Sequence, residues 1–185
     1  MRKNIFILFV LFSVSLYSQT FNGVKIDGNI NDIVPKLEKQ GYTHIPLDFS
    51  PQVRYFTGSF IKDSCDLIVF STPEKNIVET IEVKLYTEYS WTNIKTKYEE
   101  TVKYLSSIYG KSTILYEIDI PEHYIDGLVF DILERKTLSF INVWEKDNFA
   151  VICQIDLDYN IIIQYVNIKN RYLADIEWDL IEASL

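Results

Sequence analysis

Residues 90–110 read SWTNIKTKYEETVKYLSSIYG and carry the clearest helical pattern outside the N-terminal leader. Trp91, Ile94, Tyr98, Val102, Leu105 and Ile108 recur at intervals of three and four, so they stack into one apolar stripe, while Asn93, Lys97, Glu100, Lys103 and Ser107 fall on the other faces. Ser90 or Thr92 can cap the start, Glu99 precedes Lys103 in the favourable i,i+4 order, and Gly110 can take the left-handed conformation that ends a helix. A helix with one apolar stripe needs a sheet to lie on, and the sequence on both sides reads as strands.

Towards the N-terminus, residues 53–60, 65–71 and 77–86 are rich in β-branched and aromatic residues, and Ile81, Val83 and Leu85 alternate with Glu82, Lys84 and Tyr86. Residues 73–76 form the turn between the last two. Before them lies a first helix with Ile30, Ile33, Val34 and Leu37 on one face, Asn29 or Asn31 as its cap and Gly41 as its end. Pro35 is tolerated only near a first turn, which favours the later cap. Residues 21–28 read as an extended lead-in with a turn at its end.

Towards the C-terminus, residues 112–119, 125–135, 138–146, 149–158 and 161–168 read as strands, joined by turns at 134–137, 145–148 and 158–160. A terminal helix follows over 170–185. In it Leu173, Ile176 and Leu180 form one stripe, Trp178 and Ile181 another, and Asp175, Glu177, Asp179 and Glu182 make the rest acidic. The predicted class is α+β, a helix-then-antiparallel-sheet unit with signs of duplication: helix, three strands, helix, five strands, C-terminal helix. Residues 60–64 resemble 144–148, and each half begins with a helix ending in glycine. Residues 149–153 and 161–163 are apolar on both faces, so either something besides the helices covers the second face or the sheet curls.

Arg2 and Lys3 precede an apolar run over residues 5–11 that continues through Phe12, Val14 and Leu16 to Ser18-Gln19. This reads as a signal peptide over residues 1–18, the run being short for a membrane span, with residues 19–185 as a single domain exported to the periplasm or beyond. No Cys lies near the cleavage point to carry a lipid, and nothing after it is expected to span a membrane. The chain carries 18 Lys and Arg against 26 Asp and Glu, a formal net charge of −8, and loss of the leader makes it more negative. That surface, with its basic residues scattered among acids, excludes a nucleic-acid backbone as partner. Cys65 and Cys153 each sit in an apolar strand; they either pair, contributing about 4–5 kcal/mol by closing a long loop, or remain as two buried thiols.

Chemistry-bearing residues are few. His44 and His123 are the two histidines. Asp119, Glu122, His123 and Asp126 crowd one stretch, yet a zinc site calls for more nitrogen or sulfur ligands. Asp27, Asn29, Asn31 and Glu38 match positions of a calcium loop that fails at Asp32, where the turn requires glycine, and Asp156, Asp158 and Asn160 start the same pattern before it lapses into a hairpin turn. No nucleophile elbow, zinc-binding helix, phosphate loop or dinucleotide fingerprint occurs, and no cofactor is implied. Trp144 and Trp178, with His123, are the candidate binding residues; Trp91 and Trp144 also fit core positions.

Phe21-x-Gly23-x-x-Ile26-x-Gly28, the helix end Lys39-Gln40-Gly41-Tyr42, Gly58-x-Phe60, and Trp91 with Tyr98 and Tyr109-Gly110-Lys111 together resemble a family of small, exported, uncharacterised proteins of Bacteroidetes-type bacteria. The helix-then-sheet duplication is similar to the fold of the β-lactamase inhibitory proteins. That resemblance implies a protein-binding surface on a curved antiparallel sheet and supplies no catalytic residues. The expected function is an exported, non-catalytic binding or inhibitory module whose partner is another exported or envelope protein. A cup for a small apolar ligand, and an enzyme without a recognisable motif, are the alternatives.

Overall fold

In the computed structural model, which describes residues 20–47, 50–87, 90–116, 140–156 and 158–184, helix α2 spans Trp91–Tyr109. Ser90 is its N-cap and Gly110, at φ 86°, its C-cap. It buries Trp91, Ile94, Tyr98, Thr101 and Leu105. Thr101 takes the place expected of Val102, because spacings of three and four drift around the helix and leave Ile108 36% exposed. The Thr101 hydroxyl donates to the Lys97 carbonyl at 2.8 Å, so burying it leaves no polar atom unmet.

Ahead of α2 come α1 (Ile30–Lys39) and strands β3 (Thr43–Ile45), β4 (Val53–Phe60), β5 (Asp63–Ser71) and β6 (Val78–Leu85). After it come β7 (Thr113–Tyr116), β8 (Ile141–Lys146), β9 (Phe149–Ile155), β10 (Ile161–Asn167) and helix α3 (Ile168–Glu182). The eight strands β3 to β10 form one antiparallel sheet in the order β3-β4-β5-β6-β10-β9-β8-β7. The architecture is therefore α+β, and it is laid out in two halves: α1 then β3 to β6, α2 then β7 to β10. The last strands of the halves, β6 and β10, meet at a central seam, with Glu82 opposite Gln164.

Several details differ from the sequence reading. The first half has four strands, not three. Strand β3 is three residues long and is followed by Pro46, too short to show a period of two. The expected strand at 125–135, the turn at 134–137 and the ends of two neighbouring strands lie outside the described residues. The hairpin match between 60–64 and 144–148 is out of register: Phe60 pairs with Asp63 around Ile61-Lys62, whereas Lys146 pairs with Phe149 around Asp147-Asn148. Ile61 (φ 50°) and Lys62 (φ 72°) both adopt the left-handed conformation, one that a β-branched residue tolerates poorly. Ile61 is held there by packing its side chain against the core.

Residues 21–28 are not a simple lead-in. Strands β1 (Thr20–Phe21) and β2 (Val24–Lys25) make a small hairpin on the Asn22-Gly23 turn, both residues at positive φ. It drives Phe21 into the core against Phe60 and Tyr165. Helix α1 uses the earlier cap: Asn29 Oδ1 accepts from the Asn31 amide at 2.9 Å. Pro35 is accommodated inside the helix. Gly41, at φ 92°, closes the helix as expected.

The cysteines do not pair. Both are buried free thiols, Cys65 on β5 and Cys153 on β9, with β6 and β10 between them. Three strand spacings of about 4.8 Å, with a two-residue offset along the strands, put them more than about 14 Å apart, well beyond disulfide reach. Burial pushes the Cys65 thiol up to about 11 and raises Cys153 further.

The predicted apolar stripes of α3 are not what it buries. Its inner face is Asn170, Ala174 and Glu177, while Tyr172, Ile176, Trp178 and Leu180 are exposed. The reason is that α3 meets the ends of β5 and β6 at polar backbone rather than at an apolar face. Asn170 Nδ2 donates to the Val78 carbonyl at 2.8 Å, and Glu177 Oε2 accepts from the Glu74 amide at 2.8 Å. Among the described residues, no helix is long and apolar enough to cross a membrane.

Candidate functional site

The strand register sorts the sheet into two faces. On one, the row Phe56, Leu67, Val83, Ile163, Cys153 crosses from β4 to β9, and every member is buried. The helices lie on this side: Tyr98 of α2 meets Asn142 Nδ2 at 2.6 Å, and Asn31 of α1 accepts from Arg54 Nη2 at 2.7 Å. Val151, Cys153, Ile161 and Ile163, whose burial was the open question of the sequence, are all on it and fully covered.

One residue along each strand, the side chains point the other way. There the row Tyr55, Ile68, Glu82, Gln164, Ile152, Val143 crosses from β4 to β8. The next row is Val53, Phe70, Thr80, Val166, Ala150. Neither α1 nor α2 covers them, and Tyr55, Ile68, Phe70, Val143, Ile152 and Val166 remain only half-buried.

At the centre of this open face, Gln164 Nε2 donates to Glu82 Oε2 at 2.8 Å across the seam. A recess of about 290 Å³ lies over them, walled by Phe70, Ile152 and Val166 and reached by Arg171 from α3. Arg171 is tethered: Nη1 lies 3.3 Å from Glu79 Oε1, and Nε lies 3.5 Å from Asp175 Oδ1. Glu79 is the extra residue where the β5–β6 register shifts, and Thr80 Oγ1 donates to it at 3.0 Å. Along the same face Lys84 sits between Asp156 at 3.6 Å and Asp158 at 3.8 Å, with its ammonium 5.8 Å from the Tyr86 ring centre. The Tyr86 hydroxyl donates to Asp66; that bond, more than burial, pushes the phenol up to about 12. Both cations on the open face are matched by carboxylates. Glu82 has an amide as its partner and no ion pair among the described residues.

The residues singled out from sequence fall elsewhere. Trp144 is buried on the covered face and donates Nε1–H to the Gly110 carbonyl at 2.9 Å, tying β8 to the end of α2. Trp178 stands exposed on α3, away from the recess lining. His123 and its acidic neighbours lie outside the described residues. His44 packs its ring 5.1 Å from Phe56. In the calcium-like stretch Asp27 is bound by Lys25 and Asn170, which hold its carboxyl below the usual range despite partial burial. Asp156 accepts from the Asp158 and Asn160 amides and so shapes the β9–β10 turn. Among the described residues, no group of three or more His, Cys, Asp or Glu is placed to hold a metal. Glu82, Gln164 and Arg171 were passed over because a polar residue in alternation with apolar ones reads as an ordinary solvated position. Compared with known proteins, the chain matches no family model, no curated protein and no solved structure.

Proposed function

We propose that this chain is an exported, non-catalytic binding or inhibitory module that docks another exported or envelope protein on the open face of its sheet. One observation carries the reading: α1 and α2 cover one face of the eight-stranded sheet, while the other keeps half-buried apolar side chains on β4, β5, β10, β9 and β8. Six strands at about 4.8 Å spacing and two rows about 7 Å apart offer on the order of 400 Å², about half of the ~800 Å² each partner buries in a standard interface. Apolar patches of that extent are often functional. The covered face is filled by its own side chains, which favours docking over an enclosed cup for an apolar ligand. Export rests on the leader at residues 1–18, and the resemblance to β-lactamase inhibitory proteins points to the same use of a sheet.

The test is capture of a partner from the exported fraction by wild type, by Ile152→Arg on the open face, and by Tyr172→Arg on α3. Wild type and Tyr172→Arg should retain the same protein and Ile152→Arg should lose it. A monodisperse wild-type protein that captures nothing in repeated trials, or an Ile152→Arg variant that captures as well as wild type, would overturn the reading.

A further inference from the structure

We infer that the recess at the β6–β10 seam is an anchor pocket for one basic side chain of the docked protein, an arginine above all. This rests on the docking reading above and adds the chemistry of the partner.

The charges around the recess are unequal. Arg171 at its rim faces two carboxylates, Glu79 and Asp175, so its own charge is already matched. Glu82 at the floor is a further carboxylate answered only by the Gln164 amide. The recess therefore presents an excess of negative charge at a point bounded by apolar walls, where water is partly displaced and a charge pair is stronger than at an open surface. Gln164 uses its amide nitrogen towards Glu82, which leaves its carbonyl oxygen as a second acceptor beside the carboxylate. A planar guanidinium, with five donors, can meet both acceptors while its edge and stem lie along Phe70, Ile152 and Val166.

Placement fits the same role. The recess straddles the two central strands of eight, and the side chains that anchor an interface cluster near its centre, ringed by weaker contacts that exclude water. The net charge of −8 steers a basic partner towards the molecule, and Glu82 gives it a point of arrival.

The experiment is a titration of the ¹⁵N-labelled protein with acetyl-arginine-amide, followed by the amide signals of Glu82, Gln164, Ile152 and Val166. Acetyl-citrulline-amide, the neutral isostere, serves as the control. Saturable shifts are expected with arginine and at least tenfold weaker binding with citrulline. Glu82→Gln, which keeps the shape of the floor, should weaken arginine by at least tenfold, and Gln164→Glu should tighten it. Equal shifts from both compounds, no shifts, or an unaltered response in Glu82→Gln would overturn the assignment. If the arginine probe is silent while Ile152→Arg still abolishes capture of a partner, the anchor falls and the docking face stands. If the probe binds at Glu82 while Ile152→Arg leaves capture intact, the docking face falls and the pocket stands.

Discussion

Gly58 shows how one residue's identity is set by another's ring. A Cβ at position 58 would lie 2.4 Å from Tyr42 Cδ1, so glycine is required there for space. Tyr42 in turn accepts from Asn22 Nδ2 at 3.1 Å and donates to the Ser59 carbonyl at 3.3 Å, binding the N-terminal hairpin to β4. Gly58→Ala is expected to destabilise the fold by about 1–3 kcal/mol through overpacking, seen as a lower urea midpoint at unchanged slope. Both residues belong to the short motifs noted in the sequence, but nothing local could reveal that they touch. The thiols make a second residue-scale prediction. Under native conditions Cys65 and Cys153 should react with a disulfide reagent only on the timescale of unfolding, and the oxidised mass should show no intrachain bridge; rapid labelling or a loss of two hydrogens would contradict their separation. From sequence their spacing was silent, because a distance of three strands depends on a strand order that no linear pattern encodes.

Among the elements, α2 was legible almost to the residue because its stripe, cap and terminal glycine agree. Helix α3 was legible in extent and wrong in face. Its apolar residues suggested a core helix, yet it is seated by Asn170 and Glu177 on backbone groups of β6 and of the turn before it. Glu177 Oε2 accepts from the Glu74 amide, and Lys75 Nζ lies 3.7 Å from Oε1. Glu177→Ala removes the acceptor of that part-buried bond and is expected to cost about 1 kcal/mol. Hydrogen exchange at the Glu74 and Lys75 amides should accelerate more than at β9, a local signature that general destabilisation would not give. Periodicity reports which side chains share a face, but it does not report whether the docking site is apolar or a row of peptide groups. The same blindness hid Glu82 and Gln164, which alternate with apolar neighbours as any solvated pair would.

For the whole molecule, several thiols and phenols in or against the core share one response to pH. Burial pushes Cys65 up to about 11 from an ordinary 9.0, pushes Tyr109 up to about 12 from 10.0, and raises Tyr42, Cys153 and Tyr165 as well. In the unfolded chain these groups lose their protons near their ordinary values, whereas in the fold they hold them. Their contribution is therefore fully present below about pH 9 and is lost as pH rises through the folded values. Urea unfolding from pH 7 to 11 should show a flat region and then a decline setting in above pH 9. Stability that stays level to pH 11 would mean these groups are less shielded than their surroundings indicate. The class and the rough order of helices and strands could be read from the chain; the seam could not, because it joins residues some eighty positions apart.

That seam gives the open face a direction. A near two-fold axis between β6 and β10 would make the surface look alike to a partner approaching in either of two opposed poses, and a palindromic platform cannot tell its visitor which way round to lie. Opposite Glu82 an axis through the pair would require a second glutamate, and the chain places Gln164 there instead. The palindrome is broken at its centre, and that mismatch makes left and right distinguishable.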